Sequence, residues 1–245
     1  MIRALALVFG LAGTPALACE TVMFDGAPFT ACQIDLTQED VRLFLRDPEG
    51  MIYGSFGRVE QGLPPGKRLG IAMNAGMFHE DRAPVGHYVE NGVEEMRVIT
   101  SDGPGNFGLL PNGVLCLTDV GARIIESRAF AENPPECRDA TQSGPMLVID
   151  GELHPRFVPN GSSRNIRNGV GVDESGQNLH LVISDVPVNF HHFARFFRDH
   201  LGVPNALYFD GRVSRLYAPD IGRADIGLPV GPIIGTVVDA APADG

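Results

Sequence analysis

The stretch Asn189–Gly211, NFHHFARFFRDHLGVPNALYFDG, contains a predicted helix followed by a predicted buried strand. From Phe190 to Leu201 the apolar residues recur at i, i+3, i+4, i+7 and i+11, which is one face of an α-helix. Asn189 before this run suits an N-cap, and Gly202 after it suits the position that follows a helix. The sequence therefore predicts a helix over residues 190–201.

The strand after this helix, Ala206–Phe209, runs directly into Asp210-Gly211. A polar side chain at the end of a buried strand is held by a rigid scaffold, which is how many folds present their catalytic groups. Asp210 is therefore the first candidate for a catalytic carboxylate. The alternative is an ordinary turn residue, because aspartate before glycine is common in turns.

Short runs that alternate apolar and polar residues dominate the rest of the chain and indicate strands. The predicted strands outside hairpins are residues 29–36, 41–45, 51–56 and 69–73. Predicted hairpins turn at Asn91-Gly92, Pro111-Asn112-Gly113, Asp150-Gly151 and residues 174–178. The predicted fold class is α+β: a single β-rich domain with antiparallel or mixed sheet and few helices.

The first 18 residues predict a signal peptide that is removed on export. Arg3 gives a positive start, residues 4–12 are apolar, and Ala16-Leu17-Ala18 forms an A-x-A cleavage site. Residues 19–245 then form one domain, because no Gly/Ser run, Pro-rich stretch or charge block marks a linker. No later stretch reaches the roughly 20 apolar residues that a membrane-spanning helix needs. The predicted location is the periplasm or the exterior.

Four cysteines after an export signal predict two disulfides in an oxidising compartment. Three pairings are open, and we favour Cys19–Cys32 with Cys116–Cys137 because each closes a local segment. No C-x-x-C spacing supports a zinc site. A lipid anchor on Cys19 is an alternative, although lipoprotein signals usually carry Leu where this chain has Ala16.

The net charge of −11 argues against nucleic acid and anionic membranes as partners, because an acidic surface repels phosphate groups. Lys67 is the one lysine among 19 basic residues, so the cations are almost all arginines. Arginine binds phosphate and carboxylate groups with two parallel hydrogen bonds. We therefore expect an anionic small molecule or glycan as the ligand.

Four segments place polar residues and turn glycines beside apolar strands. They read Asn74-Ala75-Gly76-Met77-Phe78, Ser143-Gly144-Pro145-Met146-Leu147, Arg167-Asn168-Gly169-Val170-Gly171 and Asp210-Gly211-Arg212-Val213-Ser214. In this order they resemble the motifs N-x-G-x-F, S-G-P-x-L, R-T-A-x-G and D-G-G-x-S of the phosphodiester glycosidase domain family. The resemblance runs from about Ile34 to Val238 and implies that family's β-rich fold.

Two departures from the family pattern affect the substrate. Asn168-Gly169 stands where the family usually has Thr-Ala, and Arg212 stands where it usually has a second Gly. Glycine allows close backbone approach, so Arg212 indicates a narrower or more anion-selective pocket. The chain is in these respects similar to a bacterial periplasmic branch of the family.

The resemblance and the residue chemistry together suggest roles at the site. Arg167 is the first candidate for a phosphate clamp, with Arg164 and Arg212 behind it. Gly144 and Gly211 would turn backbone N–H groups toward an oxyanion. The remaining predicted contacts are Asn74 and Gln142 to sugar hydroxyls, Ser143 and Ser214 to phosphate or sugar, His79 as proton donor, and the motif residues Gly76 and Phe78.

The function these observations predict is hydrolysis of the glycosidic bond to phosphate in a sugar 1-phosphodiester. Asp210 would act as base, nucleophile or charge stabiliser, with Glu80 and Asp185 as the next carboxylates. No cofactor is predicted, and no ligand spacing supports a metal. The alternatives are a non-catalytic module that binds an envelope glycan or phosphate, and a scaffold protein of envelope assembly.

Overall fold

The computed structural model describes residues 18–240. Numbered along the chain, its strands are β1 (Cys19–Phe24), β2 (Ala27–Asp35), β3 (Asp40–Phe44), β4 (Lys67–Asn74), β5 (Tyr88–Glu90), β6 (Val93–Met96), β7 (Gly113–Thr118), β8 (Gly121–Glu126), β9 (Asp139–Ser143), β10 (Met146–Ile149), β11 (Glu152–Leu153), β12 (Asn168–Val172), β13 (Asn178–Ser184), β14 (Asn205–Asp210), β15 (Leu216–Ala218), β16 (Arg223–Ala224) and β17 (Ile233–Asp239). The helices are α1 (Phe56–Gly62), α2 (Ser127–Glu132) and α3 (Phe190–Arg195).

These strands form three antiparallel sheets. The first has seven strands in the order β1-β2-β13-β12-β14-β10-β11, the second has the order β16-β15-β4-β17-β3, and the third has the order β6-β5-β9-β7-β8. The predicted class, a β-rich α+β fold with few helices, is confirmed. The choice between antiparallel and mixed sheet is resolved as well, because every ladder between these strands is antiparallel.

The main hydrophobic core lies where the three sheets face one another. Phe209 of the first sheet, Met73 of the second and Leu115 of the third all belong to it, and each is inaccessible to solvent. The outer side of each sheet is covered by one helix, through smaller apolar clusters that contain Phe193 of α3 and Phe130 of α2. Strand alternation therefore lets the sheets bury both faces.

Both favoured disulfides are present. Cys19 bonds to Cys32, its cross-strand partner in the β1–β2 hairpin, and Cys116 of β7 bonds to Cys137 before β9. The Cys19 sulfur is therefore not available for a lipid anchor. The predicted signal peptide lies, apart from Ala18, outside the described residues.

The predicted helix over 190–201 is present in a modified form. Asn189 caps it by accepting a hydrogen bond from the backbone N–H of His192, as predicted. The α-helix ends at Arg195, however, and continues as one π-helical turn, Phe196–His200. This turn buries Phe196 as well as Phe197, although Phe196 lies outside the predicted apolar stripe.

One strand prediction and one hairpin prediction are wrong. Residues 51–56 form no strand, because Gly54 has φ +66° and Ser55 caps helix α1 by accepting from the N–H of Arg58. Residues 111–113 form no hairpin, because the Asn112 side chain donates to the carbonyl of Phe107 and fixes a loop before β7. In both places a local hydrogen bond from or to a side chain determines the backbone conformation, and the apolar pattern does not.

The predicted hairpin turns at Asn91-Gly92 and Asp150-Gly151 are confirmed. Asn91 has φ +51° and Gly92 has φ +77°, which are the left-handed values that a type I′ turn needs. They connect β5 to β6, and Asp150-Gly151 connects β10 to β11.

We expect Gly92→Ala to lower the free energy of unfolding by about 1–2 kcal/mol, because an added Cβ is strained in the left-handed conformation. Gly57→Ala is the matched control: it places the same methyl group in helix α1, where nothing lies within 4 Å. Alanine there should stabilise the protein by about 0.5–1 kcal/mol. Urea unfolding of both variants measures the difference, and equal effects would contradict the turn assignment.

Candidate active site

A cleft of about 670 Å³ opens where strand β14 ends. Its lining combines apolar walls with a few polar groups, as in most small-molecule sites. The lining residues are Met77, Phe78, Val85, Pro104, Gly105, Asn106, Phe107, Asn165, Tyr208, Asp210, Gly211, Arg212, Val213, Leu228 and Pro229. Three separate chain segments supply most of this lining, which brings the first and fourth sequence motifs together.

Asp210 is the one carboxylate that lines the cleft among the residues the structure describes. It is the last residue of β14 and is only 9% exposed. Its Oδ1 accepts hydrogen bonds from the backbone N–H groups of Gly211 and, at 2.6 Å, of Arg212. Burial raises the pKa of Asp210, and the backbone N–H groups of Arg212, Gly211 and Val213 act in the opposite direction.

Tyr208 lies two residues before Asp210 on β14, so strand alternation points both side chains to the same side of the sheet. Its hydroxyl accepts a hydrogen bond from Nη1 of Arg167 at 3.2 Å. Burial raises the pKa of Tyr208, which Arg167 opposes. Gly211 leaves the space for this hydroxyl, because a Cβ at residue 211 would lie 2.3 Å from it. The glycine of the fourth motif is therefore required by the tyrosine before it.

Arg167 lies behind Tyr208 and is fully buried. Its guanidinium stacks 3.6 Å from the centre of the Phe190 ring and donates to the carbonyl groups of Val188 and Ser163 at 3.0 Å. Burial lowers its pKa, and no carboxylate among residues 18–240 forms an ion pair with it. A charged guanidinium without a counter-ion contributes positive potential to the region around it.

Arg212 is the accessible cation of the cleft. Its side chain is exposed, and it borders the cleft next to Asp210. In the described part of the chain Arg212 forms no ion pair with an acidic side chain, whereas Arg223 is bound to Asp185 and Asp225. An exposed guanidinium beside a buried carboxylate is suited to an anionic ligand.

The sequence of this region matches the family model of the phosphodiester glycosidases over residues 67–226. The chain belongs to the phosphodiester glycosidase family. The matched residues begin at β4 and end just after β16, and they include all four motifs and the whole cleft except Leu228 and Pro229.

A relative from Escherichia coli and two solved structures are similar to this chain. The uncharacterized protein YigE of Escherichia coli strain K12 is 34% identical over 179 residues, which cover 73% of this chain and 70% of YigE. The catalytic domain of zebrafish N-acetylglucosamine-1-phosphodiester alpha-N-acetylglucosaminidase superposes with a TM-score of 0.58 at 15% identity, covering 89% of this chain and 81% of that domain. A hypothetical protein from Synechocystis superposes with a TM-score of 0.61 at 15% identity, covering 90% of this chain and 61% of that protein. The two structures show the shared fold.

Several family-motif residues are part of the framework that carries the cleft. Asn74 and Asn168 are both inaccessible to solvent, and Nδ2 of Asn168 donates to the backbone carbonyl of Asn74 at 2.8 Å and to its Oδ1 at 3.1 Å. The same Oδ1 accepts from the N–H of Arg215 at 2.9 Å. The prediction that Asn74 binds a sugar is therefore not supported, because its polar groups join the second sheet to the first.

Ser143 of the second motif and Gln142, the residue before it, are also structural. All four hydrogen-bonding positions of the Gln142 amide are occupied, by His87, Ser127 and two backbone groups of Ile99. Ser143 donates to the carbonyl of Phe209 at 3.2 Å, and both side chains are buried. Direct contact of Gln142 and Ser143 with a ligand is therefore not supported.

The predicted glycines act through packing. A Cβ on Gly144 would lie 2.5 Å from Cβ of Asn112, so this glycine is required by the loop before β7. Gly76 has φ +147° and passes close to Thr141, where a Cβ would lie 3.1 Å from the hydroxyl oxygen. The expected nest at Gly211 is occupied by the protein itself, because the N–H groups of Gly211 and Arg212 donate to Asp210.

The remaining predicted residues divide between the cleft and its surroundings. Phe78 lines the cleft with Asp210, Gly211 and Arg212. His79 and Arg164 are exposed and lie outside the cleft lining. The Ser214 hydroxyl donates to the backbone carbonyl groups of Ile166 and Asp210. Neither alternative carboxylate lines the cleft, since Glu80 is exposed and Asp185 is bound to Arg223.

No three His, Cys, Asp or Glu side chains come together as a metal site would require within the described residues. Over the same range, 18–240, no helix is both long and apolar enough to cross a membrane.

The residues that sequence reasoning missed are Tyr208, Asn106 and Asn165. Tyr208 could have been found by counting two residues back from Asp210 along the predicted strand. Asn106 and Asn165 lie in loops distant in sequence from β14, and no local pattern indicates that these loops meet at the cleft.

We expect Asn168→Ala to lower the free energy of unfolding by about 2–4 kcal/mol, because it removes a buried donor from two acceptors of Asn74. Asn160→Ala, in an exposed turn, removes the same amide and should change stability by less than about 0.5 kcal/mol. Urea unfolding measures both variants. An Asn168→Ala protein as stable as the Asn160→Ala protein would show that the amide pair is dispensable.

We expect Asp210→Asn to make the protein more stable than wild type at neutral pH. The folded-state pKa of Asp210 is raised from 3.8, so its contribution to stability is full at acidic pH and is lost as pH rises through the folded pKa. Asparagine keeps the acceptor for Gly211 and Arg212 without the charge. Each tenfold difference in the acid constant of Asp210 between the folded and unfolded states corresponds to about 1.4 kcal/mol in the free energy of unfolding.

The measurement is urea unfolding from about pH 3 to about pH 8. The two proteins should coincide at the acidic end and separate as the pH rises above 3.8. Asp102→Asn, on an exposed loop, controls for the change in net charge. A variant less stable than wild type at neutral pH would show that the hydrogen bonds to the ionised carboxylate outweigh its burial.

Proposed function

We propose that this family member hydrolyses the bond between a sugar anomeric carbon and phosphate in a sugar 1-phosphodiester. The observation that carries the proposal is that the buried carboxylate of Asp210 and the exposed guanidinium of Arg212 share one cleft. A phosphodiester is an anion, and its hydrolysis at carbon needs a group that handles a proton or a positive charge. The cleft contains one group for each requirement.

Arg212 takes the role of phosphate ligand that the sequence suggested for Arg167. Its planar guanidinium can donate two parallel hydrogen bonds to the oxygens of the diester. Arg167 acts from behind the wall, where its charge and its hydrogen bond to Tyr208 orient the tyrosine hydroxyl. Because Tyr208 accepts from Arg167, its own proton is free to be donated toward the cleft.

The sugar would lie against the apolar side of the cleft. Phe78 and Phe107 supply aromatic surface, and Asn106 and Asn165 supply amide donors and acceptors at its edge. Sugar rings present C–H groups on one face and hydroxyls around the rim, which matches this mixture of walls. The asparagines thereby take the part that the sequence suggested for Asn74 and Gln142.

The proposed chemistry uses water as nucleophile. The water oxygen bonds to the anomeric carbon, the bond from that carbon to the phosphate oxygen breaks, and its electron pair leaves with the phosphate monoester. Asp210 accepts the proton released by the water. Burial makes this carboxylate a stronger base, and Arg212 stabilises the charge that grows on the leaving phosphate.

The proposed location is the periplasm or the exterior. Two disulfides, Cys19–Cys32 and Cys116–Cys137, are typical of proteins that fold outside the reducing cytosol. The leading segment Met1–Ala18, with its A-x-A site, supports export of the chain.

A non-catalytic binding module is the second candidate. The observation in its favour is that, within residues 18–240, Asp210 is the single carboxylate in the cleft lining, whereas most glycosidases use two. A phosphate leaving group reduces this requirement, because the released monoester is stable as an anion near neutral pH. The two candidates therefore differ in turnover and not in what they bind.

The test is a panel of sugar 1-phosphodiesters incubated with the purified protein, with released sugar as the readout. We expect Asp210→Asn to lower kcat by about 10²–10⁴-fold, because the base is lost. We expect Arg212→Met to lower kcat/KM by about 10- to 100-fold, because a charged hydrogen bond to phosphate is lost. Wild-type kcat/KM should fall at low pH as Asp210 becomes protonated, below its raised pKa.

Arg123→Met is the matched control, because it removes an exposed arginine on β8 outside the cleft. It should leave kcat and KM unchanged. Tight binding of a diester without sugar release by wild type would favour the binding module. Full turnover by Asp210→Asn would exclude Asp210 as the base.

A further inference from the structure

A second groove of about 370 Å³ adjoins the cleft. The two share Arg212, Val213 and Leu228 as walls, so a ligand can pass from one to the other without leaving the surface. The exposed Arg212 lies at this boundary. A phosphate bound there would direct the sugar into the cleft and its other ester group into the groove.

The rim of this groove is apolar and exposed to an unusual degree. Ile226 is 95% exposed, Leu228 is 71% exposed and Ile166 is 42% exposed. Single exposed apolar side chains are common on protein surfaces, but a group of them beside a site marks an interaction surface. Besides Arg212, four polar side chains also line the groove, and each is bound to a protein partner: Ser214 and Arg215 donate to backbone carbonyl groups, and Arg223 forms an ion pair with Asp225. The apolar rim is therefore the surface that remains for a ligand.

The loop that carries Ile226 and Leu228 is held in place by hydrogen bonds. Asp225 accepts from the N–H of Leu216 at 2.9 Å and forms an ion pair with Arg223. Further along, the guanidinium of Arg215 donates to the carbonyl of Leu228. The two apolar side chains therefore project from an anchored loop, so their exposure is a property of the fold.

A glycine allows this anchoring. A Cβ on Gly227 would lie 2.7 Å from the guanidinium of Arg215, and Gly227 has φ +157°. Only a residue without a side chain can pass over Arg215 at this distance. The backbone between Ile226 and Leu228 can therefore pass directly over the buried Arg215.

We propose that this groove binds an apolar, lipid-like chain on the far ester oxygen of the substrate, so that the substrate class is a sugar 1-phosphate esterified to a lipid alcohol. This inference rests on the proposed function. An anionic phosphate with an alkyl tail matches the cation at the boundary and the aliphatic rim beyond it.

The test compares two substrates that share one sugar and the phosphate, with a methyl or an octyl group on the far oxygen. Both are used below the micelle concentration, and kcat/KM for sugar release is measured. Full burial of one methylene is worth about fourfold in affinity, and an open groove buries only some of them. We expect wild type to prefer the octyl diester by about tenfold or more.

The double variant Ile226→Ser/Leu228→Ser should reduce this preference to about twofold or less, because its rim no longer offers apolar surface. Val120→Ser is the matched control: it makes the same kind of change at an 81% exposed valine outside the cleft and the groove. The control should keep the wild-type preference.

Equal kcat/KM for the two diesters would overturn the inference and leave the proposed function standing. If neither diester is hydrolysed, the proposed function fails, and calorimetry with methyl phosphate and octyl phosphate decides the groove. Tighter octyl binding that the double variant loses would still support an apolar subsite. No dependence on chain length, or a wild-type dimer that the double variant converts to monomer, would overturn it.

Discussion

The amide pair of Asn74 and Asn168 is the constraint on which the active-site architecture depends. These two buried side chains join the second sheet to the first, and the Asn74 amide oxygen also holds the backbone of Arg215. Asn168 lies opposite Asp210 in the ladder between β12 and β14. Because buried amides must satisfy their donors and acceptors, this pair determines how the sheets meet and hence where Asp210 lies.

The third sheet is tied to the same region by hydroxyl groups of β9. Thr141 donates to the carbonyl of Ala75, and Ser143 donates to the carbonyl of Phe209. Strand ends from all three sheets therefore converge behind the cleft. This explains why polar motif residues that look suited to bind a sugar are buried: they satisfy one another where the sheets meet. Most of the groups that line the cleft come from the loops in front of them.

The cleft concentrates charge that is unfavourable for folding. Burial raises the pKa of Asp210, and Arg167 is buried beside Tyr208 without a carboxylate partner among the described residues. Buried charges without a counter-ion reduce stability, and they persist where the surrounding structure holds them for a function. The neighbouring apolar rim of Ile226 and Leu228 is also unexplained by folding, since exposed apolar side chains do not stabilise a folded protein.

The sequence by itself determined the β-rich class, most strands, the helix cap at Asn189 and the four motifs that mark the family. It favoured the disulfide pairing that the structure contains, but left two other pairings open. These features depend on local periodicity, turn chemistry and composition, which a single chain displays directly. The sequence also pointed to Asp210, which ends a predicted strand, and to Arg212 in the same motif, and both line the cleft. Only the tertiary structure decided which polar motif residues line the cleft. Asn74 and Asn168 are 94 residues apart, so their pairing, and the resulting choice of Tyr208 and Asn106 for the cleft, follows from long-range sheet contacts that no local pattern encodes.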